Sequence, residues 1–289
     1  MRIGRVNGRL VIIDGDGVVD VATASGGEFS ARPDQVFAVW DRFTEWAGGY
    51  AGPGTHTGPL VPEELGAPLL APPQVFGIGL NYREHAAESG VAAPDLPPVF
   101  TKFRSCLAGP SATVELPSDK VDWEVELVAV IGRPAERVPE EKAWSYVAGL
   151  MVGQDLSERT VQLAGPVPQF SLGKSFPGFG PIGPWLVTPD ELADRDDLRL
   201  RCSVDGRVLQ DGRTGNMIFS VPELVARISA VCPMSPGDLI FTGTPSGVGM
   251  GRKPPEFLRP GTTLVSTIDG LGELRNALIA GPAYPQPRR

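Results

Sequence analysis

One stretch of the chain decides the fold: residues 122–131, which read DWEVELVAVI. Successive side chains of a strand point to opposite faces of the sheet, so Glu124 and Glu126 share one face. Residues 127–131 are all apolar, which is typical of a strand that is covered on both faces. Two like charges on a buried face are costly unless a cation or a proton compensates them. The stretch therefore predicts a buried cation site, with an exposed acidic edge strand as the alternative.

Outward from this stretch, apolar β-runs alternate with turns. Strand candidates lie at residues 74–78, 99–103, 123–131, 148–152, 185–187, 198–204, 238–242 and 263–268, and helix candidates at residues 82–89, 156–164 and 221–232. Strands and long helices do not alternate regularly, so neither a doubly wound parallel sheet nor a TIM barrel is expected. The pattern indicates an α+β fold with a large, rolled, mixed sheet.

Residues 1–70 predict a small α+β N-terminal domain ahead of a larger domain over residues 71–289. Two short β-runs flank the sequence DGDG at residues 14–17, which indicates a hairpin. From residue 36 to residue 46, large apolar residues recur at every third or fourth position, which predicts an amphipathic helix that ends at Gly48 and Gly49. Residues 51–73 are rich in glycine and proline and are interpreted as a connector.

The composition narrows the range of partners. The 289 residues include 26 Lys and Arg and 34 Asp and Glu, a net charge of −8, which argues against binding to nucleic acid or to an anionic membrane. No apolar stretch approaches the roughly 18–20 residues that cross a bilayer. The three cysteines are far apart and predict neither a zinc site nor a disulfide framework. We therefore expect a cytoplasmic protein that binds a small molecule.

A third carboxylate, Asp155, follows another predicted strand. Glu158 comes three residues later, as in a capping box, so one interpretation is that Asp155 only caps a helix. In such a helix Arg159 and Gln162 lie four and seven residues further on and project from the same side as Asp155. Three carboxylates without paired Cys or His ligands suit a hard cation such as Mg²⁺ or Mn²⁺ rather than zinc.

Three further features could carry chemistry. His85 and Glu88 lie one turn apart in a predicted short helix, where a carboxylate can orient an imidazole as a general base; a solvated helix face is the alternative. Lys174 lies in an aromatic, turn-rich loop that would place its ammonium near an anionic site. Residues 241–249, FTGTPSGVG, would bring backbone N–H groups to an oxyanion, or form only a tight loop. The other histidine, His56, is interpreted as a surface residue without an acidic partner.

Taken in order, these segments resemble the fumarylacetoacetate hydrolase (FAH) superfamily over about residues 74–280. The motifs that carry the resemblance are NYxxHxxE at 81–88, DWEVEL at 122–127, Asp155 with Arg159 and Gln162, GKSF at 173–176, QDGRT at 210–214 with MIF at 217–219, and PGDLIFTGTPSGVG at 236–249. The resemblance implies a mixed β-roll catalytic domain and a homodimer. It also implies a divalent cation, usually Mg²⁺, with Mn²⁺ or Ca²⁺ as alternatives.

The resemblance also implies roles for individual residues. It makes Glu124, Glu126 and Asp155 the metal ligands, His85 and Glu88 the pair that activates water, and Lys174 the active-site lysine. The substrate contacts that it implies are Tyr82, Arg159, Gln162 and Thr244. The sequence departs from the residues that family members often have at three positions, Gln154, Thr160 and Pro177. These departures bear on which substrate the protein accepts.

The expected reaction is hydrolysis of a C–C bond in a β-diketone or an acylpyruvate-type keto acid. The cation would act as a Lewis acid on a carbonyl group, and His85, oriented by Glu88, would take a proton from water. Lys174 would stabilise the negative charge on the leaving enolate. Two alternatives stay open. One is decarboxylation of a 2-oxo acid such as oxaloacetate, or keto–enol isomerisation, on the same scaffold. The other is a non-catalytic binding protein that Ca²⁺ stabilises.

Overall fold

The computed structural model describes residues 1–50 and 56–284. The strands, in chain order, are β1 (Arg2–Val6), β2 (Arg9–Asp14), β3 (Gly17–Asp20), β4 (Gly58–Pro59), β5 (Leu65–Gly66), β6 (Val75–Ile78), β7 (Val99–Thr101), β8 (Leu107–Ala108), β9 (Val114–Leu116), β10 (Val121–Asp122), β11 (Val125–Ile131), β12 (Val147–Gln154), β13 (Ser157–Glu158), β14 (Gly180–Val187), β15 (Arg199–Val204), β16 (Arg207–Arg213), β17 (Leu239–Phe241), β18 (Thr263–Ile268) and β19 (Gly272–Ala280).

Helices are fewer and shorter. The α-helices are α1 (Val21–Ala24), α2 (Pro33–Val36), α3 (Trp40–Tyr50), α4 (Arg83–Glu88), α5 (Arg159–Gln162), α6 (Phe170–Gly173) and α7 (Val221–Ser229). Short 3₁₀ turns cover Phe37–Val39, Pro62–Glu64, Arg104–Cys106, Glu140–Tyr146, Pro189–Glu191 and Thr214–Asn216. None of the helices in the described ranges has the length and apolar composition to cross a membrane.

The strands form one large mixed sheet and two smaller sheets. The large sheet runs in the order β4-β3-β2-β1-β14-β12-β11-β17-β6-β7, with β5 paired to β1 and β8 paired to β14. A second sheet runs β16-β15-β18-β19-β9, and β10 pairs with β13 alone. Most pairs are antiparallel, but β17 is parallel to β6, β19 to β9 and β14 to β8. This arrangement confirms the predicted α+β class with a mixed sheet.

Strand β11, which contains most of the opening stretch, lies inside the large sheet. It pairs with β12 on one side and with β17 on the other, and every one of its residues is buried. The alternative of an exposed edge strand is therefore wrong. Burying a side chain such as that of Leu127 contributes ~1.5–3 kcal/mol. Gly153 permits the close packing here, because a Cβ at this position would lie 2.4 Å from the Val128 side chain.

The N-terminal strands extend the large sheet. The predicted hairpin is confirmed, since Asp14 pairs with Gly17, and β1 pairs with β14 through Ile3 opposite Leu186. The expected helix end at Gly48 is wrong: α3 continues to Tyr50, whose ring stacks on Trp46 with centroids 4.9 Å apart. The division of the chain at residue 70 stays a prediction. Residues 51–55 of the predicted connector lie outside the described residues.

Candidate active site

Three buried carboxylates meet where β11 begins and β12 ends. Glu124 directly precedes β11, Glu126 is its second residue, and Asp155 directly follows β12. Each offers one oxygen, and these oxygens lie within 4.8 Å of one another. The three residues are at most 6% exposed. The structure therefore brings together the three residues that the sequence singles out as metal ligands; their ligand role stays a prediction.

The segment after Asp155 differs from the expected helix. Ser157 and Glu158 form β13, which pairs with β10, and α5 begins only at Arg159. Glu158, not Asp155, caps this helix by accepting a hydrogen bond of 2.6 Å from Val161 N. The capping interpretation of Asp155 and its place on a helical face are therefore wrong. Asp155 is held instead by side-chain cations.

Two lysines bind the acidic cluster. Lys174 Nζ donates to Glu124 Oε2 and Asp155 Oδ2, both at 2.6 Å, and to Ser157 Oγ at 2.8 Å. Lys102 Nζ donates to the other oxygen of Asp155 at 2.6 Å, to Phe179 O at 3.1 Å and to Lys174 O. The sequence analysis found Lys174 but missed Lys102. The signal available was a lysine inside the apolar strand candidate at residues 99–103.

Arg159 is held by an aspartate that the sequence analysis assigned no role. Its Nε and Nη2 donate to Asp122 Oδ2 at 2.9 and 2.7 Å. Its Nη2 also pairs with Glu124 Oε1 at 2.8 Å, and its Nη1 donates to Gln162 Oε1 at 2.7 Å. A guanidinium has five N–H donors, so one N–H of Nη1 is left for a ligand. Asp122 could have been found by strand alternation, because it precedes Glu124 and Glu126 at two-residue spacing.

The pKa values of Glu124 and Glu126 are shifted in opposite directions. Burial raises the pKa of the Glu124 carboxyl, but the charges of Lys174 and Arg159 outweigh burial and lower its pKa to about 2. Glu126 has no ion pair among the described residues, and its Oε2 accepts one hydrogen bond of 2.8 Å from Gly243 N. Burial, with the charges of Asp155 and Glu124, raises the Glu126 pKa well above its usual value. A divalent cation among the three carboxylates would compensate the negative charge of ionised Glu126. This donor set therefore fits the metal that the family resemblance implies.

His85 and Glu88 form the expected pair within α4. His85 Nδ1 lies 3.3 Å from Glu88 Oε2, and both oxygens of Glu88 accept from Gly247 N at 3.1 Å. Burial raises the pKa of Glu88, but the hydrogen bonds from His85 and Gly247 outweigh it and leave the pKa below its usual value. Glu88 is therefore ionised near neutral pH and orients His85 through Nδ1, which leaves Nε2 for a reacting proton.

The other histidine has a partner that the sequence analysis did not expect. His56 Nε2 lies 3.2 Å from Asp14 Oδ2, and both side chains are exposed. The turn between β2 and β3 brings Asp14 beside a residue 42 positions later. The prediction of a histidine without an acidic partner is wrong, whereas its surface position is confirmed.

The loop after β17 binds the protein's own carboxylates. Gly243 N donates to Glu126, Gly247 N to Glu88, and Gly249 N and Met250 N donate to Asp122 at 2.7 and 2.9 Å. These donors were expected to contact an oxyanion of a ligand, and here they hold the side chains of the site instead. Gly247 has a φ of +104°, a region that favours glycine, and a Cβ there would lie 2.4 Å from Leu209 O.

Two amide side chains fix the acidic strand, and one of them, Gln210, also connects it to this loop. Gln210 Nε2 donates to Thr244 Oγ1 at 2.7 Å, and Gln210 Oε1 accepts from Val125 N at 3.0 Å. Thr244 Oγ1 in turn donates to Val125 O at 2.9 Å. Gln154, one of the departures from the family pattern, accepts from Glu124 N at 2.9 Å and so fixes the backbone of a carboxylate of the site.

A cavity of about 240 Å³ joins these groups. Its polar lining residues include His85, Glu124, Glu126, Arg159, Gln162, Lys174 and Thr244, and its apolar ones include Leu80, Val91, Phe100, Leu163, Phe170 and Met250. Tyr82 does not line it: this side chain is 2% exposed, and its hydroxyl has no hydrogen-bond partner in the described part of the chain. Burial and the charge of Glu126 raise the Tyr82 pKa. Tyr82 therefore lies outside the cavity lining, and its role as a substrate contact stays a prediction.

An α+β fold with converging buried carboxylates and an oriented histidine is an arrangement that suits an enzyme with a hard-cation site. Residues 74–279 match the family described as "Fumarylacetoacetate (FAA) hydrolase C-terminal". The chain therefore belongs to the FAH superfamily, as its motifs predict, and the FAH-like catalytic domain is confirmed.

Several solved structures are similar over nearly the whole chain, and three of them illustrate the range. One, described as "a putative HpcE protein" from Mycobacterium smegmatis, is 51% identical, has a TM-score of 0.91, and is matched over 97% of this chain and 100% of its own. A 5-carboxymethyl-2-hydroxymuconate delta-isomerase of the same species is 31% identical, with a TM-score of 0.74 over 97% and 99%. A maleylpyruvate hydrolase from Sphingobium sp. SYK-6, in complex with manganese(II) and pyruvate, is 27% identical, with a TM-score of 0.79 over 97% and 100%.

These similarities support an enzyme of a superfamily that contains both hydrolases and isomerases. The manganese ion in the Sphingobium hydrolase agrees with the acidic cluster found in this chain.

Proposed function

We propose that this protein is a divalent-metal-dependent hydrolase that cleaves a C–C bond in a β-diketone or acylpyruvate-type keto acid. One observation carries the proposal: the cavity that exposes Glu124 and Glu126 is also lined by His85, whose ring is oriented by Glu88. Hydrolysis needs both a polarised carbonyl group and a base for water, and this cavity offers residues for each.

The acidic residues would hold the cation. Glu124, Glu126 and Asp155 are the proposed ligands, and oxygen ligands alone favour Mg²⁺ or Mn²⁺, with Ca²⁺ as a further alternative. When bound, the cation polarises a carbonyl oxygen and helps to orient the oxo acid. Lys174 and Arg159 keep Glu124 ionised, so it is ready to act as a ligand without losing a proton.

His85 would act as the general base. Its Nε2 takes a proton from water while Nδ1 stays hydrogen-bonded to Glu88, whose negative charge stabilises the imidazolium that forms. The water oxygen attacks the distal carbonyl carbon, the adjacent C–C bond breaks, and its electron pair becomes an enolate. The positive charge of Lys174, whose three N–H donors stay bonded to the protein, stabilises this negative charge through space, and His85 returns the proton to the enolate carbon. Gln162, Thr244 and the remaining N–H of Arg159 orient the substrate.

The two histidines of the chain provide a matched test of this proposal. His85→Ala should lower kcat for acylpyruvate hydrolysis ~10²–10⁴-fold, the range for loss of a general base. His56→Ala, at an exposed position outside the cavity, should leave kcat unchanged. Loss of the enol absorbance and release of pyruvate report the reaction. Hydrolysis that survives His85→Ala would contradict the proposed base.

Metal binding is tested separately from turnover. Isothermal titration with Mn²⁺ should show one site in the wild-type protein, no measurable binding in Glu126→Gln, and unchanged binding in Glu115→Gln, a control on an exposed strand position. EDTA should abolish hydrolysis, and Mg²⁺ or Mn²⁺ should restore it. Hydrolysis that persists in EDTA would rule out the metal-dependent reaction.

Keto–enol isomerisation or decarboxylation on the same scaffold is the second candidate. The similarity to a delta-isomerase favours it. These reactions need the polarised carbonyl group but no attacking water, so His85→Ala should abolish hydrolysis and spare decarboxylation. A panel of acylpyruvates, oxaloacetate and ring-opened dienoates, monitored for all three reactions, distinguishes the candidates.

Location and oligomeric state belong to the same proposal. From the family resemblance we propose a cytoplasmic homodimer whose partner is a small-molecule keto acid. Sedimentation of the full chain should give twice the monomer mass of 30.6 kDa.

A further inference from the structure

The cavity has two chemically different ends. Its carboxylate end is described above, and its other walls are formed by Leu80, Val91, Phe100, Leu163, Phe170 and Met250, with Ser89 as an uncharged polar residue among them. Phe100 and Phe170 pack edge to face with centroids 5.8 Å apart, and Leu163 stays 44% exposed. Exposed apolar side chains around a polar cavity are the usual lining of a site that binds an apolar group. The aromatic residues Phe176, Phe179 and Trp185 do not line it.

The cations of the cavity are already engaged at the carboxylate end. Within residues 1–50 and 56–284, Arg159 and Lys174 are the only lysine or arginine side chains that line it. Lys174 uses its three N–H donors on Glu124, Asp155 and Ser157, and Arg159 retains one N–H. The apolar walls therefore offer no basic side chain to a second carboxylate.

Two arginines elsewhere do not change this result. Arg83 is exposed on α4 and is not part of the lining. Arg252 lies over the Trp123 ring at 5.4 Å, and its Nη2 donates to Leu209 O and Gly247 O. Both guanidinium groups thus lie outside the described wall of the cavity.

We infer that the preferred substrates are monocarboxylic 2-oxo acids whose far end is an uncharged alkyl or aryl group, rather than dicarboxylates. This inference rests on the proposed function and names its substrate class. An apolar tail displaces water from the walls, whereas a second carboxylate would lose hydration without gaining a cationic partner. The similar structures are named for 5-carboxymethyl-2-hydroxymuconate and maleylpyruvate, compounds with more than one carboxylate, so the inference separates this chain from them.

Two substrates of nearly equal shape test the inference. 4-Methylpentanoylpyruvate ends in an isopropyl group, and succinylpyruvate carries a carboxylate of similar size at that position. For the wild-type protein with Mg²⁺ we expect kcat/KM to be about 100-fold higher for 4-methylpentanoylpyruvate, because the walls have no cation to pair with the carboxylate of succinylpyruvate.

A cation added to the wall should change this preference. Leu163→Arg places a guanidinium at the exposed edge of the cavity, where it can pair with the carboxylate of succinylpyruvate. We expect the kcat/KM for 4-methylpentanoylpyruvate divided by that for succinylpyruvate to fall about tenfold or more. Leu172→Arg is the matched control: it adds the same charge at a leucine that is 64% exposed and outside the lining. Circular dichroism checks that both variants are folded.

Each outcome has one meaning. An equal or higher kcat/KM for succinylpyruvate in the wild-type protein overturns the inference and leaves the proposed hydrolysis intact. If the protein cleaves neither compound, the proposed function is wrong, and the inference that rests on it fails as well. The wild-type protein could prefer the apolar substrate while Leu163→Arg and Leu172→Arg change that preference equally. The cavity walls would then not determine the preference, and this result also overturns the inference.

Discussion

Lys102 provides the most direct test of the electrostatic account of the site. Its ammonium is buried and donates to Asp155 at 2.6 Å and to two backbone carbonyls, those of Phe179 and Lys174. It therefore joins a proposed metal ligand to the backbone of the active-site lysine. Lys102→Met removes the charge and the three donors while keeping a side chain of similar length.

The expected loss of stability follows from these contacts. Removing one partner of a buried ion pair costs ~3–5 kcal/mol. Asp155 keeps its contact with Lys174, so we expect the lower end, about 3 kcal/mol in the free energy of unfolding. This is a large fraction of the ~5–15 kcal/mol that stabilises a typical protein. At about 2–4 °C per kcal/mol, Tm should fall by roughly 6–12 °C.

Urea unfolding and thermal melting measure this loss. Lys142→Met is the control, because Lys142 is exposed in a 3₁₀ turn and should change stability by less than about 0.5 kcal/mol. Titration with Mn²⁺ adds a second readout, since a displaced Asp155 should bind the ion more weakly. A Lys102→Met protein as stable as Lys142→Met would refute the reasoning, because the buried pair would then contribute nothing.

Three further predictions concern groups that hold the site in place. Asp122→Asn weakens the hydrogen bonds that hold Arg159, so kcat/KM should fall ~10–100-fold while the affinity for Mn²⁺ stays unchanged. Loss of Mn²⁺ binding would instead place Asp122 in the metal site itself. Hydrogen bonds hold the pKa of Glu88 below its usual value of 4.5, so its contribution to stability is present above pH 4.5 and is lost as the pH falls through its folded pKa. Glu88→Gln should remove that part of the pH dependence in urea unfolding, and an unaltered acid profile would contradict it. Gly247→Ala should destabilise the protein by ~1–3 kcal/mol in thermal melts, because its φ is +104° and the new Cβ meets Leu209 O; an unchanged Tm would show that the loop relaxes at no cost.

The parts of the site that could be predicted depend on local sequence. Alternation along a strand places Glu124 and Glu126 on one face, and one turn of helix separates His85 from Glu88; neither relation needs knowledge of the rest of the fold. Lys102 illustrates the opposite case. Its partner Asp155 lies 53 residues away, and only the pairing of the strands in three dimensions brings the two together.

The segment after Asp155 was mispredicted for a related reason. A carboxylate followed three residues later by glutamate favours a helix start at Asp155, but Ser157 pairs with Asp122 and Glu158 with Val121 instead. This pairing moves the helix start to Arg159, directly across from the strand that carries Asp122. Tertiary strand pairing overrides the local capping signal, and in doing so it creates the contact between Arg159 and Asp122 that the local signal could not indicate.

The charges of the described site favour the binding of one divalent cation. Four buried carboxylates, those of Asp122, Glu124, Glu126 and Asp155, face three buried cations, those of Lys102, Arg159 and Lys174. Glu88, which is ionised beside His85, adds a fifth negative charge. With all of these groups ionised, the site carries two negative charges, and a divalent cation would neutralise them. Because uncompensated charge in buried surroundings is costly, this count supports a divalent cation, whereas the preference for a monocarboxylate rests on the walls of the cavity alone.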